Sequence, residues 1–148
     1  MATLDEIELV VWDHKYDTGI ELIDSQHRVL IDLINDLYRA CRCGDEIGVA
    51  FKEAMHKMVQ YVNFHLTTEQ DMLRRVKYPQ YRDHCAQHEE LVKTILDAAK
   101  DFGEGKRFVP HNFVRALKDW LLTHIGVSDR HYSVYIHDLR KKGLHSDL

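Results

Sequence analysis

Apolar residues recur along this chain in alternating steps of three and four, the spacing of a helix that buries one stripe against its neighbours. Four segments carry the pattern. The first, about 20–43, aligns Ile20, Ile23, Leu30, Ile34, Leu37 and Cys41. The second, about 46–76, aligns Phe51, Met55, Met58, Val62, Met72 and Val76. The third, about 80–103, aligns Tyr81, Leu91, Ile95, Ala98 and Phe102, and the fourth, about 110–131, aligns Phe113, Leu117 and Trp120. Helix breakers fall between them: Thr18-Gly19, Cys43-Gly44-Asp45, Lys77-Tyr78-Pro79-Gln80, and the stretch from Gly103 to Pro110. Pro110 suits a first helical turn. Connections this short predict antiparallel neighbours, hence an all-α, up-down-up-down four-helix bundle forming a single domain over 1–148. Residues 1–19 are expected to form an N-terminal arm anchored by Trp12 and Tyr16, and 132–148 a C-terminal tail.

Every stripe is interrupted by titratable side chains at its core-facing positions: His27, then His65 and Glu69, then His84 and His88, then His124. Measured from the end where the first and third helices start, these lie about four to eleven residues in. At ~1.5 Å of rise per residue they share one layer roughly 6–16 Å deep. His65/Glu69 and His84/His88 are pairs four apart, stacked on one helix face. Asp129 follows His124 by five positions, about 140° around an ideal helix. Reaching the layer requires an irregular turn between them, of π type, which Gly126 would permit.

Composition sharpens this picture. Eleven histidines stand in 148 residues, with a formal net charge of −4. A nucleic-acid footprint would need a basic stripe, and the one dense cationic run, Arg140-Lys141-Lys142, reads as solvated tail. No apolar run approaches the ~18 residues of a membrane span, and the acidic start is unlike a signal peptide. Cys41, Cys43 and Cys85 lack metal or redox spacing, so reduced thiols and a cytoplasmic location are expected. Cys85 and the methionines read as structural. His14, His56, His111, His131, His137 and His145 lie off the stripes and are expected at the surface.

A lone core histidine is ordinarily a hydrogen-bonded structural residue. Several in one layer would leave buried polar groups imperfectly paired at ~1–3 kcal/mol each, which metal ligation avoids. Seven ligand candidates exceed what one tetrahedral zinc can use. They suit two ions sharing bridging carboxylates, with one coordination position left open. Ferritin-like oxidases use Glu-x-x-His pairs, which these stripes do not carry. A histidine-rich, carboxylate-poor set leaves the metals less electron-rich, favouring reversible O₂ binding over O–O cleavage.

The motifs Trp12…Tyr16-Asp17-Thr18-Gly19-Ile20…Ile23-Asp24-Ser25-Gln26-His27, His65-x₃-Glu69, Tyr78-Pro79, His84-x₃-His88 and Trp120-Leu121-x₂-His124-Ile125-x₃-Asp129 resemble those of the hemerythrin family, in its bacterial single-domain form, over nearly the whole chain. The resemblance implies two iron ions per chain. His84, His88 and His124 would hold one, and His27 and His65 the other. Glu69, Asp129 and an oxo or hydroxo group would bridge them, leaving the two-histidine iron to bind O₂. It also implies an apolar O₂ pocket lined by Leu30, Leu66, Trp120, Leu121 and Ile125. Leu66 stands where phenylalanine is common, and Gln70 where glutamate is common. The first departure bears on pocket size and solvent access, and on the lifetime of the oxygenated state.

An O₂ carrier, store or delivery protein is the leading expectation, with no catalytic residues. Two alternatives stay open. One is an O₂ or redox sensor acting through a separate signalling partner; the other is a di-iron enzyme handling peroxide or nitric oxide. O₂ is the expected ligand, with an O₂-consuming enzyme as a candidate recipient and a monomer as the expected form.

Overall fold

The computed structural model describes residues 8–44, 47–105 and 109–143, and the expectations for His145 and for the first seven residues lie outside them. A short 3-10 turn, His14–Tyr16, precedes helices α1 (Glu21–Ala40), α2 (Ile47–Arg75), α3 (Tyr81–Gly103) and α4 (Pro110–His124). A π-helical turn, Ile125–Asp129, then leads straight into α5 (Arg130–Lys141). The described residues form only helices and their connections, as a four-helix bundle whose fourth rod is α4, the π turn and α5 together. Helix α1 packs on α2 and α4, and α2 packs on α3.

The stripes face inward as their spacing requires, but the core is split. The larger cluster fills one part of the bundle, with Ile34, Leu37, Phe51, Met58, Ile95 and Val114 at its centre. A smaller one closes the other end: Ile20, Ile23, Met72, Leu73, Val76, Tyr78, Tyr132 and Ile136. The tail expected from residue 132 is therefore corrected, since helix continues to Lys141. Tyr132 and Ile136 are completely buried there, and removing that apolar surface from water gives α5 its reason to stay helical and docked.

Three local devices hold the ends of the bundle. The buried Asn35 amide pins the arm: its Oδ1 accepts from the Leu9 and Val10 amides at 2.8 and 3.0 Å, and its Nδ2 donates to the Val10 carbonyl at 2.8 Å. Asp24, in the first turn of α1, accepts from the Thr18 amide and hydroxyl at 2.8 and 2.7 Å and from the Gly19 amide at 3.1 Å. Gly19 has φ +78°, and a Cβ there would sit 2.7 Å from His137 Nε2, so both backbone and space demand glycine. His137 is half-buried and bonds the Thr18 carbonyl at 2.8 Å. Its expected surface role is thus corrected; the helical continuation past 131 brings it onto the arm. His111 is likewise half-buried, edge-on to Tyr38 at 5.9 Å, whereas His14, His56 and His131 are exposed.

Helix α2 ends in a Schellman motif: the Tyr78 amide donates to the Leu73 carbonyl at 3.0 Å and the Lys77 amide to the Arg74 carbonyl at 3.1 Å. Lys77 carries the left-handed position, φ 55°, that glycine adopts without steric cost. Lys77→Gly is accordingly expected to raise unfolding free energy by roughly 0.5–1 kcal/mol, checked by urea denaturation.

Candidate metal centre

Between the two apolar clusters lies the polar layer, and all seven candidates are in it: His27, His65, Glu69, His84, His88, His124 and Asp129, none more than 7% exposed. Each of the four rods contributes. Asp129 arrives through the π turn, with the backbone irregularity the spacing requires. The extra residue in that turn swings Val127 out to solvent and Asp129 inward. Gly126 is not what permits it, because a Cβ there would meet open space and its φ is ordinary. Tertiary contacts hold the turn instead, among them Ser128 Oγ donating to Gln87 Oε1 at 2.7 Å.

All five imidazoles present Nε2 to the two carboxylates, and each carboxylate divides its oxygens between two groups of nitrogens. Glu69 Oε1 lies 2.6 Å from His84 Nε2 and 3.0 Å from His88 Nε2, while Oε2 lies 3.1 Å from His65 Nε2 and 3.8 Å from His27 Nε2. Asp129 Oδ1 lies 3.2 Å from His84 Nε2 and 3.1 Å from His124 Nε2, while Oδ2 lies 3.1 Å from His27 Nε2. The Nε2 atoms of His27, His88 and His124 and both oxygens of Asp129 are buried at these short separations without a hydrogen-bond partner. Lone pairs converging on common points, without a donor aimed at an acceptor, are what a metal site presents. Two groups can each hold an ion, Glu69 with His84, His88 and His124, and Glu69 with His27 and His65.

Behind the imidazoles stands a layer of side chains whose roles the sequence did not reveal. Gln26 Oε1 meets His65 Nδ1 at 2.8 Å, and Gln87 Oε1 meets His124 Nδ1 at 2.9 Å. Accepting from Nδ1–H fixes the tautomer that frees the Nε2 lone pair. The Gln70 amide meets His88 Nδ1 at 3.0 Å. The same tautomer on His88 requires the oxygen of that amide to face the ring. Tyr132, fully buried, donates its hydroxyl to Glu69 Oε2 at 3.1 Å. A helix pattern carried past residue 131 would have found it, three positions after Asp129 on the same face.

The carboxylates and imidazoles set each other's protonation. Burial alone would disfavour charge on His27, but the adjacent Asp129 and Glu69 carboxylates carry its pKa up to about 9. His84 is raised to about 9 in the same way, against burial, by Asp129 and Glu69. Burial opposes ionisation of Glu69 and Asp129 as well, yet the surrounding histidines hold both well below the usual carboxylate range. Burial, then the charges of Glu69 and Asp129, push the Tyr132 hydroxyl well above its ordinary value.

A stability effect of definite sign follows for the metal-free chain. Raised histidine pKa values mean the folded state holds protons more tightly than the unfolded one. That contribution is fully present below the ordinary histidine value and lost as pH rises through about 9. The lowered carboxylates contribute above the ordinary carboxylate range, and that part is lost as pH falls through their folded values. Thermal melts of metal-free protein are therefore expected to show Tm falling from near pH 6.5 to pH 9.5. Metal-loaded protein should lack this loss, its ligand nitrogens having no proton to release.

Beside the layer is a small internal cavity of about 20 Å³, room for one small molecule. Leu30, Leu66, Trp120 and Leu121 are among the side chains that line it, whereas Ile125 is buried in the main core and not on this wall. Trp120 stacks on His124 with ring centroids 4.8 Å apart and planes 12° from parallel.

Comparison with known proteins agrees with this construction. The Hemerythrin HHE cation binding domain model matches residues 18–135. Bacteriohemerythrin of Methylococcus capsulatus is 28% identical over 127 residues, spanning 84% of this chain and 94% of that protein. Myohemerythrin of Theromyzon tessulatum is 26% identical over 121 residues, spanning 82% of this chain and 88% of that protein. A wild-type hemerythrin crystal structure superposes with a TM-score of 0.79 at 26% identity, covering 84% of this chain and 95% of that one. With the match running from the arm's Thr18 to α5 and taking in every side chain of the polar layer, the chain belongs to the hemerythrin family.

Proposed function

We propose that this chain holds two iron ions and binds O₂ reversibly, as a carrier or store. The observation that carries the reading is the division of each carboxylate's oxygens between separate groups of imidazole nitrogens. Such a division would suit two carboxylates bridging a pair of ions. His84, His88 and His124 would complete one ion's set and His27 and His65 the other's, so the second ion keeps a free position. Iron held by these side chains would supply the reversible redox chemistry that O₂ binding needs.

The protein's own part is to orient, exclude and withhold. Gln26 and Gln87 hold two imidazoles in the metal-binding tautomer. Apart from candidate ligands, the cavity wall is entirely apolar: Leu30, Met58, Val62, Leu66, Trp120 and Leu121 among others. With the titratable side chains of the wall given over to the candidate ligand set, the remaining apolar lining supports holding a small ligand.

Anaerobic reconstitution with ferrous iron, an iron count and optical spectra through cycles of O₂ and argon test the reading. Two irons per chain with a visible band that appears and fades reversibly is the expected result. A single irreversible oxidation would instead point to peroxide or redox chemistry, and one metal or none would overturn the two-iron centre. An oxygenation-dependent pull-down would reveal a sensor's partner.

A further inference from the structure

A groove of about 460 Å³ runs along the surface between α2 and α3, and two side chains, Leu66 and His88, border both this groove and the internal cavity. His88 is held by Gln70 at Nδ1 and faces Glu69 at 3.0 Å through Nε2, so it is not free to move aside. Leu66 has no such tether. It is 8% exposed, at the outer limit of the buried core, and lies one residue after His65, in the two-histidine group. A single aliphatic side chain thus separates solvent from the cavity at this place.

Resting on the two-iron reading, we propose that small ligands reach the cavity from the α2–α3 groove and that Leu66 is the gate they pass. A rotamer change in an untethered leucine opens the wall without breaking a hydrogen bond. The groove mixes polar side chains such as Thr67, Gln70 and Lys93 with Leu66, Val92 and Leu96, and the apolar wall beyond Leu66 disfavours water while an apolar diatomic partitions inward. A competing groove against α4 touches the cavity at Trp120 and His124. Passage there would slide an indole off the imidazole it stacks on and disturb a ring that Gln87 holds at 2.9 Å. A third depression reaches the cavity at Val62 and Ile95, whose branched side chains have stiffer χ1 torsions.

A gate has a kinetic signature that a wall does not, because it slows entering and leaving equally. Thr67→Trp places an indole at an exposed position on the groove rim, away from the cavity. In iron-loaded protein, rapid mixing with O₂ is expected to show association and dissociation both slowed by roughly tenfold, with equilibrium affinity unchanged. Leu66→Ala should quicken both, and Ala116→Trp, on the α4 groove, should change neither. Slowing by Ala116→Trp and not by Thr67→Trp would move the route to α4 and overturn the proposal. A change in affinity that accounts for the altered rate of Leu66→Ala would make Leu66 wall and not gate.

An iron-independent measurement accompanies the kinetics. With zinc in place of iron and Cys41, Cys43 and Cys85 changed to alanine, Leu66→Cys is expected to react with a small methanethiosulfonate about tenfold faster than Leu30→Cys. Equal labelling rates in folded variants, verified by circular dichroism, would overturn the gate. If wild-type protein takes up iron but shows no reversible band, the O₂ reading fails while labelling still reports on Leu66. A wild type that cycles with O₂ while the labelling rates are equal fails the gate alone.

Discussion

Glu69→Ala is expected to abolish the paired site, lowering bound iron from two per chain to one or none and removing any reversible visible band. Glu69 is common to both candidate metal groups, with four imidazole nitrogens at 2.6 to 3.8 Å around its two oxygens. Removing a supporting partner behind a metal ligand typically costs 10–100-fold in affinity, so loss of a bridging carboxylate should exceed ~100-fold. Glu69→Asp is the informative companion. It keeps the charge but withdraws both oxygens by one methylene, so one ion should be retained better than two. Iron per chain by mass spectrometry, with circular dichroism to confirm folding, measures both. Full two-iron occupancy in Glu69→Ala would contradict a bridging role.

Tyr132→Ala is expected to cost about 3–5 kcal/mol of stability, the range for truncating a fully buried aromatic side chain. Tyr132 is completely buried beside Tyr78, with ring centroids 6.3 Å apart, and His84, 5.4 Å apart. Its truncation would open the smaller core and admit water to the polar layer. Tyr132→Phe separates the two contributions. It preserves the packing and removes only the hydroxyl bonded to the Glu69 carboxylate, so its stability loss should be smaller, about 1.5–3 kcal/mol. Urea denaturation of both variants checks the difference. Equal losses would mean that the hydroxyl, and not the ring, holds α5 in place.

That prediction concerns the part of the fold the sequence left least legible. The stripe of the fourth helix is regular up to His124, and a π turn then shifts its phase. Steps of three and four counted from His124 lose register at the inserted residue and resume only from Asp129, through Tyr132 and Ile136, so a count that stops at the turn reads them as tail. The inward turn of Asp129 was nonetheless legible, because an acid five positions after a layer histidine has no other way into the layer. The role assigned to Gly126 was not supported, since neither its φ nor the space around it requires glycine.

By itself, the sequence determined the all-helical bundle, its antiparallel order and the common depth of seven buried polar side chains. These follow from periodicity, breaker positions and a fixed rise per residue, which are local properties of the chain. Only the tertiary structure decided which carboxylate oxygen faces which nitrogen, and that Gln26, Gln70, Gln87 and Tyr132 stand behind the ligands. It also decided that His137 ties the arm to α5, that Ile125 is absent from the cavity wall, and that Leu66 borders solvent and cavity alike. Each of these is a meeting of side chains from different rods. A helical repeat states which face a residue occupies, but distances between faces depend on how the helices pack and rotate against one another.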